Sequence, residues 1–111
     1  MKNPTHVSWT GSNEREDGTP YLPTDRRGYN VFIFPAGGSP EDVTFTAIGE
    51  AYDFSMPIAD MGDPLTDGAY QMIITDVDTD GRESGYSLPI DITIDTVALP
   101  KPVTGVLAFV E

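Results

Sequence analysis

YQMIITDVDTDGRESGYS, residues 70–87, carries both the strongest strand signal in the chain and its most tempting metal motif. The run from Ala69 to Val77 is rich in β-branched and large apolar residues and reads as a strand. Behind it, Asp76, Asp78 and Asp80 stand at alternate positions before Gly81. That spacing matches a calcium loop, with three carboxylate ligands and a glycine at the sharp turn. The match fails at the twelfth position, where the bidentate glutamate would fall on Ser87, and Glu83 comes too early to replace it. A plain turn accounts for the same residues: Asp78 bonds the turn backbone and Gly81 permits positive φ. The turn is therefore preferred, and a weak, solvent-exposed divalent site at Asp76, Asp78 and Asp80 is the alternative. Calcium is the one cofactor it would take.

On either side, short alternating stretches are separated by turn residues. The chain spreads eleven glycines and ten prolines along its length, so no window suits a sizeable helix. Strands are expected at THVSWT, GYNVFIF, VTFTAIG, YDFSMPI and SLPIDITID. Val7 and Trp9 share one face of the first. In the second, Tyr29, Val31 and Ile33 oppose Asn30, Phe32 and Phe34. The proline in YDFSMPI suggests an edge strand or a bulge. Leu88, Ile90, Ile92 and Ile94 form the inner row of the last. Gly11 to Gly28 reads as a long polar loop. Strands at this spacing predict an all-β, two-sheet antiparallel sandwich.

The 111 residues amount to one domain, large enough to fold without disulfides or metals. There is no cysteine, so a thiolate site and a thiol nucleophile are excluded. Six Lys and Arg stand against eighteen Asp and Glu, which disfavours nucleic acid and anionic membranes as partners. From Glu50 to Asp95 there are eleven acidic residues and one basic residue, Arg82. His6 is the only histidine and no GxSxG elbow occurs, so no nucleophilic triad is in view. Carboxylates are plentiful, but a single sandwich offers no evident cleft, and the protein is expected not to be an enzyme.

The residues resemble a fibronectin type III domain, a branch of the immunoglobulin-like sandwiches. The resemblance rests on VSW in strand B, GY.V opening strand C, and strand F, where Tyr70, Asp78, Gly81, Glu83, Ser84 and Ser87 fall in the family's slots. It covers Val7 to Ile94 and implies that PLTDGAY forms a tyrosine corner, with Leu65 as its plug. Asp76 departs from the pattern, standing where the family has a small apolar residue, and is expected near the mouth of the sandwich. The ends depart further. Strand B starts a few residues from Met1, leaving no room for strand A, while LPKPVTGVLAFV resembles the opening of a following domain. Strand A is thus displaced to the C-terminus.

Two parts follow: a sandwich over residues 1–95 with strands B to G, and a linker with a C-terminal strand over 96–111. The linker Thr96 to Pro102 reaches at most about 25 Å fully extended. Folding back onto strand B is strained for it, and exchange with a neighbouring copy is natural. Val103, Val106, Leu107 and Phe109 would be the donated contacts. Phe32, Phe34 and Ile73 are expected on the outer face of the sheet holding strands C and F, as an apolar interface patch or a surface covered by a loop. In the long loop, Tyr21, Leu22, Arg26 and Arg27 are candidate contact residues.

The expected role is a structural or interaction protein that self-associates or joins other structural proteins of an assembly. Its size, lack of cysteine and sandwich pattern resemble tail, neck or capsid-decorating proteins of bacteriophage virions. The alternative is a carbohydrate- or cell-surface-binding module of a secreted, extracellular multidomain protein.

Overall fold

The computed structural model describes residues 2–110. It is an all-β sandwich of two antiparallel sheets built from β1 (His6–Thr10), β2 (Arg26–Pro35), β3 (Phe45–Ile48), β4 (Asp53–Pro57), β5 (Gly68–Asp78) and β6 (Ile90–Ile94). One sheet pairs β1 with β4, and the other has the order β3-β2-β5-β6. In the lettering used above, β1, β2, β5 and β6 are strands B, C, F and G.

The inner faces follow from the alternation. Val7, Val31, Met61, Met72 and Ile92 form the buried core, with Trp9, Ile33, Phe45 and Tyr70 packed against it. Trp9 stacks on Phe54 at 4.9 Å and meets Tyr29 edge-on at 5.3 Å, geometries that suit the ring quadrupoles. The Tyr70 hydroxyl donates to the Thr66 carbonyl at 2.8 Å, the bond expected of a tyrosine corner.

Two sequence expectations need correction. Leu88 is 89% exposed and Ile90 lies at the surface, so the inner row of the last strand is only Ile92 and Ile94. The cause lies before β6, where Ser84 and Ser87 follow the β5 edge irregularly. Their hydroxyls accept from the amides of Asp76 and Ile74, each at 2.9 Å, in place of strand carbonyls. The second strand also begins earlier, at Arg26, because a register shift between Arg26 and Gly28 adds one residue there. Gly28 then lies against the Ala47 carbonyl so closely that a Cβ would overlap it. Among the described residues, the strand-like segment from Val103 onward pairs with no other part of its own chain, and secondary structure ends at Ile94.

The tail instead runs outward. The molecule measures 79 × 24 × 23 Å, and its radius of gyration is 20.2 Å, against about 13 Å for a compact chain of 100 residues.

Candidate functional site: an acidic pole, an open strand edge and a free tail

At the pole where β2 begins and β5 ends, the bulge turns Arg26 inward to face Asp76. The pair is buried, with Arg26 Nη2 2.9 Å and Nε 3.0 Å from the carboxylate. The Tyr21 hydroxyl donates to the same carboxylate at 2.9 Å, and the Ser12 amide at 3.0 Å. Arg26 also donates to the carbonyls of Ser12 and Glu50 and lies over the rings of Tyr21 and Tyr29. Burial works against the Arg26 charge, but the bond to Asp76, the Asp76 charge and the two nearby phenols together outweigh it and raise its pKa. Burial, then the bond to Asp76, pushes the Tyr21 hydroxyl well above the ordinary phenol range.

One turn on, Asp78 caps its own loop, accepting from the amides of Asp80 at 3.0 Å and Arg82 at 2.8 Å. Its other oxygen meets Arg15 at 3.0 Å and Arg82 at 3.2 Å. Burial would raise this carboxyl, yet the amides and guanidiniums together hold it down to about 2. Arg82 also reaches Asp80 at 3.0 Å, so the cation between Asp78 and Asp80 is a guanidinium. Among the described residues no group of three acidic or imidazole side chains is placed to hold a metal ion.

Other expected contact residues are likewise used within the chain. Tyr21 and Arg26 are buried in this network rather than offered to a partner, whereas Arg27, the bulge residue, and Leu22 remain exposed. Phe32, Phe34 and Ile73 do form one cluster, separate from the main core, on the far side of the β3-β2-β5-β6 sheet. At 5%, 8% and 7% exposure they are no open patch. The segment before β6 helps to cover them, with Tyr86 edge-on to Phe32 at 5.4 Å. Glu83 braces that segment by accepting from Thr75 at 2.6 Å and Asn30 at 2.7 Å.

The unmet bonding capacity lies on the opposite flank. Thr5 accepts from the Ile58 amide, and Gly11 donates to the Tyr52 carbonyl. With Val7 opposite Met56 and Trp9 opposite Phe54, the odd-numbered residues of β1 therefore bond β4. The main-chain groups of His6, Ser8 and Thr10 point the other way, to an edge that no described strand covers. The same parity turns Asp53, Ser55 and Pro57 to the outer edge of β4, where a proline without an N–H and a charge discourage pairing. β3 is short, with four residues, and Lys2 and Asn3 bridge to β6 at Thr93. The β1 edge has no comparable guard.

The tail is the complement. Thr96 is tied to Asp67 by its amide at 3.0 Å and its hydroxyl at 2.7 Å. Among the described residues, none from 98 to 110 takes part in a hydrogen bond, ion pair or ring contact. Val103, Val106, Leu107 and Phe109 are all exposed, Leu107 at 82% and Phe109 at 79%. The missing strand A pointed to an unpaired edge on strand B, but not to which of its residues, His6, Ser8 and Thr10, face outward. Their polar alternation opposite Val7 and Trp9 was the available signal. Compared with protein-family models, curated proteins and solved structures, the chain matches none.

Proposed function

We propose that the protein is a non-enzymatic structural subunit that joins copies of itself head to tail, each donating residues 103–110 to the open edge of its neighbour's β1. The observation that carries this reading is the coexistence, in one chain, of an unguarded strand edge and an apolar, unpartnered strand-length segment. Main-chain bonds to the edge would supply affinity, and alternate side chains specificity.

Geometry favours a neighbour over the same chain. β6 ends beside Asn3, at the pole where β1 begins, whereas a segment lying antiparallel on β1 must enter at the pole where β1 ends. A proline-stiffened linker of seven residues, 96–102, spans about 22 Å at ~3.1 Å per residue. Climbing the five residues of β1 uses about 17 Å of this, leaving little for crossing between sheets and reversing direction. A neighbour placed along the long axis meets the tail without that detour. Such a heterologous contact repeats into a ring or an open filament. A virion setting rests on the likeness in size, composition and fold class alone.

Native mass decides the matter. The full chain, 12.0 kDa, should form species of integral multiples as concentration rises, while deletion of residues 103–111 should give a folded monomer. Equal association with and without those residues would end the proposal. A full chain that stays monomeric would favour the binding-module alternative.

A further inference from the structure

The pole at which β1 begins holds an apolar cavity of about 320 Å³, lined chiefly by Thr5, Ile33, Ile58, Met61, Leu65 and Ile94. It opens between the two sheets, next to the end of β1 where an antiparallel donated strand would finish. Nothing in the acidic pole's network reaches it.

We propose that Phe109 of the neighbouring copy fills this cavity, in the register that sets Val103 opposite Gly11, Gly105 opposite Trp9, Leu107 opposite Val7 and Phe109 opposite Thr5. The inference rests on the strand-exchange reading and specifies how the edge is read. In an antiparallel pair, residues that face one another share a side of the sheet. The donor can present either Val103, Gly105, Leu107 and Phe109 to the core or Thr104, Val106, Ala108 and Val110. The first row holds the two bulkiest apolar side chains and buries the greater area.

Within that row, the register follows from Trp9. Directly opposed Cβ atoms lie about 4.5–5.5 Å apart, so the largest residue of β1 is accommodated best by the donor position without a side chain, Gly105. That choice aligns Thr104, Val106 and Ala108 with Thr10, Ser8 and His6, whose main-chain groups are the free ones. It also brings Phe109 beside Thr5, on the cavity wall. A shift of two residues toward the chain end would press Leu107 onto Trp9 and leave the cavity without an aromatic.

A photo-crosslinking benzoylphenylalanine at position 109 of the full chain tests this, with isotope-labelled and unlabelled copies mixed so that links between copies are distinguishable. Links between copies at Ile58, Met61 or Leu65 are expected. Links between copies at Ser8 or Thr10 would overturn the cavity assignment while leaving strand exchange intact. Links confined to one copy would overturn both. As a second measurement, Phe109→Ala should weaken association at least about tenfold and Phe109→Leu clearly less, since a central buried aromatic dominates such contacts. Gly105→Val should weaken it comparably by crowding Trp9. These positions lie in the exposed tail and make no hydrogen bond or ring contact there, so folding of the domain is not at issue, and wild-type association of Phe109→Ala would refute the inference.

Discussion

The acidic pole and the β1 flank differ in how completely their bonding capacity is used. At the pole, Asp76 receives an arginine, a phenol and an amide, and Asp78 two amides and two guanidiniums. On the flank, three residues offer main-chain groups to an uncovered edge, and a segment of exposed apolar side chains leaves the domain without contacts. A satisfied network fixes a local structure, whereas unmet groups call for a partner. The polar residues that look chemical in the sequence are thus engaged within the fold, and the plain apolar tail is the segment the proposed interaction uses.

Damage to the two regions should therefore separate into loss of folding and loss of assembly. The largest effect is expected from Arg26→Met, which strands the buried Asp76 charge and costs about 3–5 kcal/mol in urea unfolding of the tail-deleted domain. Adding Asp76→Leu should recover most of that loss, because a well-packed apolar pair replaces the ionic one. Wild-type stability of Arg26→Met would show that the pole is not the closed network described.

Leu107→Asp should behave in the opposite way. It leaves the unfolding midpoint of the domain within about 0.5 kcal/mol of wild type. Association by sedimentation should nevertheless fall at least about tenfold, since a carboxylate is forced against Val7. A comparable loss in both measurements would erase the distinction between the regions.

A smaller effect should appear in acid. The folded Asp78 carboxyl titrates at about 2, below an unfolded value of about 3.9. Its contribution to stability is therefore complete above the unfolded value and is lost as pH falls toward about 2. Unfolding curves of wild type and Asp78→Asn should converge across this window. If their difference is unchanged from pH 5 to pH 2, the turn is not held by the Asp78 charge.

Much of the fold was legible because its determinants are local. Alternation placed Val7, Val31 and Ile92 inside, the turn at Gly81 follows from a short spacing, and the tyrosine corner was what the resemblance implied. The pole was less legible. Arg26 and Asp76 are fifty residues apart, and the bulge at Arg27 reverses the phase that would have left Arg26 outside. Asp76 in an apolar slot was the signal that a buried cation was required. The cover over Phe32 was likewise hidden, since an irregular segment bonded through Ser84 and Ser87 has no periodicity to read. The open edge of β1 was legible as the place of a missing first strand, but which residues face it depends on the pairing with β4, which single strands do not reveal.

Backbone amide hydrogen exchange at His6, Ser8 and Thr10, followed against protein concentration, tests the donated strand most directly. Strand exchange predicts rapid exchange at all three in the tail-deleted domain and protection that grows with concentration in the full chain. Exchange that is equally fast in both proteins at every concentration, or protection already complete at high dilution, would contradict it.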